Sequence, residues 1–195
     1  MIKWPLKKLS EVAETTSGGT PLRSKSSYFG GNIAWVKSGE LEDTYIYDSD
    51  EKISEEGLKN SSAKIFPKNT LLVAMYGATV GRLGILKVPA ATNQAVCGVT
   101  PSNLIDVKFL FLLLLNKRKE LIYRSGGGAQ PNISQSIIKN LEIPVPPLIE
   151  QKRIVAKLEK ILNQIDHVKK LKTEQLADLE SLKTSILNEA FQGEF

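Results

Sequence analysis

The side chains with chemical potential in this 195-residue chain are amides and cations set in predicted loops. They are Arg23, Lys25, Tyr28, Lys37, Arg82, Asn93, Gln94, Gln130 and Asn132, with the hydroxyls of Thr20 and Thr79 beside them. Arg, Asn and Gln offer paired hydrogen-bonding atoms that match base edges in the major groove, whereas Lys, Ser, Thr and Tyr suit phosphate oxygens. Glycines nearby let backbone N–H groups approach phosphates. Each residue alone is an ordinary loop residue; together they make a binder's kit.

Catalytic chemistry is poorly provided for. The only histidine, His167, falls on a predicted helix with no Cys or His at ligand spacing, so it reads as a solvated surface residue and no metal site is expected. Cys97 lies in an apolar strand pattern and reads as a buried thiol, not a nucleophile. The stretch Gly77-Ala78-Thr79-Val80-Gly81-Arg82 lacks the Lys-Ser/Thr ending of a triphosphate-binding loop and sits between strands. Gly126-Gly127-Gly128 has no strand-to-helix setting either, so both read as turns. A methyltransferase needs a cofactor motif and an Asn or Asp before paired prolines; Val145-Pro146-Pro147-Leu148 supplies neither. Asp48, Asp50 and Glu51 cluster in a polar loop, where a solvated charge run is expected and not a nuclease's metal site. No catalytic residue is predicted.

The elements that must position these loops divide at Ile143-Pro144-Val145-Pro146-Pro147, where prolines hold the chain extended. Before this point, short mixed elements predict an α+β domain over residues 1–147, with a twisted β-sheet core and short helices. Trp4 to Val12 reads as an extended segment and then a short helix; Thr16 to Thr20 as a loop; Ile33–Val36, Thr70–Met75, Arg82–Leu86 and Ala95–Val99 as strands. Asp106 is placed to cap a helix running toward Ile122, Ser125 to Gln130 is a loop, and Ser134 caps a second short helix.

Residues 148–195 predict one long coiled-coil helix, free of Gly and Pro from Leu148 to Gln192. Two interleaved series, each repeating every seven residues, run Ile154, Ile161, Val168, Gln175, Leu182 and Leu158, Ile165, Lys172, Leu179, Ile186; eight of these ten are apolar. Leu162, Leu171, Leu176 and Leu187 widen the stripe. A helix of about 40 residues is about 60 Å long and cannot bury such a seam against a small domain alone. The polar pair Lys172 and Gln175 interrupts the seam, as register-setting residues do. A plain amphipathic helix folded back on its own domain, bent near Gln175, is the alternative.

Charge separates the two parts. The net charge is +5, yet residues from Leu148 onward hold eight basic and eight acidic groups. The eighteen basic and thirteen acidic residues before Leu148 therefore carry the whole excess, compatible with a polyanionic partner. One cysteine rules out an internal disulfide framework and, with no recognisable signal peptide, points to the cytoplasm. The longest apolar run, Phe109 to Leu115, is far too short to span a membrane.

These motifs, in their order, resemble a known family. Trp4-Pro5-Leu6-Lys7-Lys8-Leu9 with Gly18-Gly19-Thr20-Pro21 resembles the opening of target-recognition domains in type I restriction-modification specificity subunits, as does Ile33-Ala34-Trp35-Val36 leading to Gly39-Glu40. The segment from Leu71 to Arg82 looks like the family's central strand-turn-strand, followed by Thr92-Asn93-Gln94-Ala95-Val96. Gly127 to Gln130, Asn132-Ile133-Ser134, and Ile143 to Gln151 at the boundary to the family's conserved helix complete the set.

The resemblance implies a non-catalytic subunit that selects double-stranded DNA for a methyltransferase (modification) subunit, with a restriction/translocase subunit in full complexes. S-adenosylmethionine, ATP and Mg are then expected only in those partners. Family members usually carry two recognition domains and two helices, so this chain is similar to a half subunit. A homodimer paired through antiparallel helices, reading inverted half-sites, is the expectation. The rival readings are a coiled-coil adaptor whose head binds protein and, less well supported, a standalone methyltransferase or nuclease.

Overall fold

Stretches of alternating or wholly apolar residues become short strands, and the polar turns between them place the loops. The computed structural model describes residues 4–124 and 132–193. In chain order the elements are β1 (Leu6–Lys8), β2 (Ala13–Ser17), β3 (Phe29–Val36), β4 (Thr44–Ile46), β5 (Lys52–Ile53), α1 (Glu55–Lys59), β6 (Ile65–Phe66), β7 (Leu71–Ala74), β8 (Leu83–Leu86), β9 (Ala90–Thr92), β10 (Val96–Pro101), α2 (Val107–Arg124), α3 (Gln135–Lys139), β11 (Glu142–Pro144) and α4 (Leu148–Gln192). Three sheets form: a β1-β11 pair, a five-stranded sheet ordered β2-β10-β7-β8-β4, and a four-stranded sheet ordered β5-β3-β9-β6.

The two larger sheets share one core. Ala34 and Val36 of β3, Phe66 of β6 and Ala90 of β9 pack with Leu72 and Ala74 of β7, Leu86 of β8 and Val96 of β10. Between Ala34 and Val36, Trp35 points to the opposite face and packs with Ile53, Ala63 and Ala91 over Leu58. This is the period-two alternation of a strand buried on both faces. Strands β7 and β8 are buried throughout, and α2 packs on them. At Gly98 the approach is so close that a Cβ would overlap the Phe66 ring.

Helix starts follow the expected caps. Asp106 Oδ1 accepts from the N–H groups of Lys108 (2.9 Å) and Phe109 (3.0 Å) at the start of α2. Ser134 Oγ accepts from Ile137 N at 3.3 Å at the start of α3. One expectation is corrected: the segment from Thr16 is not wholly loop. Thr16 and Ser17 complete β2 by pairing with Gly98 and Cys97 of β10, and the loop begins only at Gly18. That pairing joins residues some eighty positions apart and leaves no local trace.

By internal contacts the chain divides into one unit through Lys152 and another from Arg153. The first turn of α4 therefore belongs with the first unit, although the helix itself begins at Leu148. Gln151 in that turn is fully buried; its Nε2 donates to Leu104 O (3.0 Å) and Pro146 O (2.8 Å), and its Oε1 accepts from Asp106 N (2.7 Å). From Arg153 onward α4 is an unbroken helix to Gln192, through Gln175 as well.

Candidate nucleic-acid interface

The strand order decides which loops meet. Ser17 at the end of β2 pairs with Cys97 near the start of β10, Val96 pairs with Ala74 at the end of β7, and Val73 pairs with Leu83 at the start of β8. The loop after β2, the turn between β7 and β8 and the turn before β10 thus emerge at one end of the five-stranded sheet. The parallel pairing of Val36 with Thr92 brings the ends of β3 and β9, and with them Lys37 and Asn93, to neighbouring positions.

At the centre of this end, backbones approach closely. Gly18 N donates to Val96 O (3.1 Å), Gly19 N to Thr92 O (2.9 Å) and Asn93 N to Val36 O (3.0 Å). The Trp35 indole donates to Gly19 O at 3.0 Å. A Cβ at Gly18 would overlap the carbonyls of Thr92 and Asn93, and one at Gly19 would overlap the backbone of Ser62 and Ala63. The Thr20 hydroxyl donates to Gln94 Oε1, so two predicted site residues from distant segments touch. Thr92 Oγ1 and Asn93 Oδ1 are buried acceptors without a partner among the described residues.

A charged cluster flanks this centre. The Arg23 guanidinium grips Glu51, its second arm at 3.1 Å, and lies 4.6 Å from the Phe29 ring centroid and 4.8 Å from that of Trp35. Lys37 Nζ is 3.5 Å from the same carboxylate. The hydrogen bond from Arg23, then the charges of Arg23 and Lys37, hold the Glu51 carboxyl below the usual carboxylate range. Glu51 thus departs from the solvated charge run expected for its loop: it is half-buried and neutralises two candidate DNA-binding cations. Asp48 pairs with Lys52 at 3.1 Å. Lys25 Nζ donates to the Tyr28 hydroxyl at 3.2 Å, which raises the Lys25 ammonium above its usual range. Tyr28 itself is only 5% exposed, so its ring supports the loop from within the core.

The turn between β7 and β8 forms the other flank. Gly77 and Gly81 take positive φ (84° and 77°), which non-glycine residues rarely adopt. Arg82 is exposed and Thr79 half-buried beside it. Arg118 of α2 braces the turn: its Nε donates to Gly81 O at 2.8 Å and its guanidinium pairs with Asp43. Ile133 N donates to Met75 O at 2.7 Å, which ties the exposed Asn132 to the same end. Gln130 lies outside the described residues.

The structure therefore brings Thr20, Arg23, Lys37, Thr79, Arg82, Asn93, Gln94 and Asn132 to one end of the domain, with Lys25 set back on Tyr28. Arg118 and Asp43 were not singled out from sequence, and Glu51 was read there only as part of a solvated charge run. Arg118 sits in a helical pattern and Asp43 owes its place to a positive φ of 61°, neither of which a sequence signals. Cys97 is buried, and burial alone pushes its thiol up to about 12. His167 is exposed on α4. Among the described residues, no group of three or more His, Cys, Asp or Glu is placed to hold a metal ion, and no helix is long and apolar enough to cross a membrane.

On α4 the predicted seam lies open. Leu158, Ile161, Ile165, Val168, Leu179, Leu182 and Ile186 are each exposed, from 38% at Leu158 to 62% at Val168, while Ile154 is half-buried. An apolar stripe of this length, broken only at Lys172 and Gln175, is uncommon on a surface that stays in water.

Comparison with known proteins supplies the family. Residues 1–176 match the family model described as the type I restriction modification DNA specificity domain. The chain is 32% identical over 172 residues to the type I restriction enzyme MjaIX specificity subunit of Methanocaldococcus jannaschii, covering 86% of this chain and 40% of that protein. It is 28% identical over 165 residues to the EcoR124I/EcoR124II specificity subunit of Escherichia coli, covering 82% and 40%. The chain thus spans about 40% of the length of these relatives. The fold is similar to a chain of a type I restriction-modification complex (TM-score 0.79, 24% identity, 98% of this chain and 46% of that one). It is also similar to the HsdS subunit of Thermoanaerobacter tengcongensis (TM-score 0.70, 23% identity, 100% and 46%). With a family model matching residues 1–176, the chain belongs to the type I restriction-modification DNA specificity family.

Proposed function

We propose that this chain reads a DNA sequence on behalf of partner subunits that methylate and cut. The recognition domain, residues 1–147, meets double-stranded DNA with the sheet end that carries Gln94, Asn93, Arg82 and Asn132, and with Gln130. The C-terminal segment, residues 148–195, pairs with a second copy through α4 and docks the modification subunit; a restriction/translocase subunit joins through that assembly. Two copies related by a two-fold axis read inverted, identical half-sites separated by an unread spacer. The protein works in the cytoplasm, where its DNA is and where a lone buried thiol is ordinary.

The observation that carries this reading is the convergence of amide and cationic side chains, from segments far apart in sequence, on one sheet end. Amides and Arg there suit base edges, and Lys and Thr suit phosphates. The exposed stripe of α4 supports the pairing, since a helix of this kind needs a partner helix to cover it.

The deciding experiment co-expresses the chain with its modification subunit and maps the methylated positions in the host DNA. A bipartite, inverted motif is expected. Methylation at scattered sites, or none with an assembled complex, would refute sequence reading. Arg82→Ala in the same complex should relax or abolish the motif while leaving the fold intact.

A further inference from the structure

The seam of α4 alternates steps of four and three residues from Ile154 to Ile186, the spacing of helices that pair along a 3.5-residue repeat. Its only polar members, Lys172 and Gln175, are three residues apart on the same face. A shallow depression along Ile161, Ile165 and Val168 runs up to Lys172 itself, and the exposed Leu179, Leu182 and Ile186 lie beyond Gln175. Apolar seam residues therefore stand on either side of a polar centre.

We infer that α4 pairs antiparallel with the same helix of a second copy in a single register, centred between Thr173 and Glu174, in which Lys172 of each chain meets Gln175 of the partner subunit. The inference rests on the self-pairing proposed above, takes the antiparallel direction that the family resemblance implies, and adds the register. In this arrangement Ile161 faces Ile186 of the partner subunit, Ile165 faces Leu182 of the partner subunit, and Val168 faces Leu179 of the partner subunit. The two-fold axis repeats each contact, so six apolar layers flank two central polar ones. Each Lys172 ammonium donates to the side-chain carbonyl of the partner's Gln175, so neither polar group is buried against an apolar surface.

Other arrangements lack this match. A parallel, in-register pair sets Lys172 against the partner's Lys172, two like charges in a seam that excludes water. An antiparallel pair shifted by one heptad sets Lys172 against either the partner's Val168 or the partner's Leu182. Gln175 then falls against the partner's Ile165 or the partner's Leu179. Each shift buries an ammonium and an amide with no acceptor or donor opposite. A single polar layer that pairs only in one register is a known way of specifying that register.

The test uses the full chain. Dimerisation is measured by sedimentation equilibrium for the parent, Gln175→Glu and Gln175→Lys; these positions are exposed on the helix, and circular dichroism verifies the fold. Gln175→Glu should tighten the dimer by roughly tenfold, because it creates two charge-assisted contacts with Lys172. Gln175→Lys should loosen it by a similar factor. In parallel, chains carrying Ile161→Cys and Ile186→Cys are oxidised separately and mixed. The mixed disulfide should dominate, because in this register two copies of position 161 stand about 37 Å apart. Native Cys97 stays silent, being buried. A dimer weakened by Gln175→Glu, or Ile161→Cys chains linking to each other, would overturn the register and leave self-pairing intact. A strictly monomeric parent at micromolar concentration would overturn both.

Discussion

Arg23 is bound to Glu51 at the edge of the recognition end, its guanidinium held between that carboxylate and the faces of Phe29 and Trp35. With Lys37 on the same carboxylate, two candidate DNA-binding cations are neutralised by one acid. On the proposed function, a phosphate arriving here would compete with Glu51 for both.

The first prediction follows from that competition. Glu51→Gln should raise affinity for DNA of any sequence and steepen its dependence on salt, by about one to two in the slope of log K against log salt if both cations reach phosphates. Titration at several salt concentrations reads the slope. An unchanged slope would remove Arg23 and Lys37 from the phosphate-contacting set.

The same carboxylate makes stability depend on pH. Its folded pKa lies below the ordinary 4.5, so its stabilising contribution is present above that value and is lost as pH falls through the folded pKa. Glu51→Gln should therefore cost a few tenths to about 1 kcal/mol near neutrality, a modest amount because the pair is partly solvated. The gap between parent and variant should shrink below about pH 4. Urea unfolding of both proteins across that range measures it.

Gln151 gives the sharpest stability prediction. Gln151→Leu keeps the size but removes the partner of three groups: the buried carbonyl of Pro146 and the part-buried Asp106 N–H and Leu104 carbonyl. Each unsatisfied group costs about 1–3 kcal/mol, so a loss of at least about 2 kcal/mol is expected on chemical denaturation. A change under about 0.5 kcal/mol, the usual range for a surface substitution, would show that these bonds contribute little.

The glycines of the recognition end separate into required and tolerant positions. Gly18→Ala and Gly19→Ala should each destabilise by about 2 kcal/mol or more, since the added methyl overlaps backbone atoms that cannot move independently. Gly39→Ala meets nothing within 4 Å and should be close to neutral. Thermal denaturation of the three variants side by side makes the comparison.

What the sequence determined about this protein was local or periodic. The seven-residue repeat of α4, the caps at Asp106 and Ser134, the buried runs of β7 and β8, and the ordered family motifs each lie within a short window. Hydrophobic spacing and side-chain capping act over a few residues, so they can be read from a few residues.

Tertiary structure alone decided where those side chains meet. The pairing of β2 with β10 and of β3 with β9 brings Thr20 to Gln94 and Lys37 beside Asn93, and no local pattern records either contact. Strands of two or three residues, such as β5 and β6, carry too few residues for a period to show; they exist because a neighbouring strand satisfies their backbone groups. The Arg23–Glu51 pair belongs to the same class. Charges attract whatever the chain brings near, and only the fold determines which acid that is.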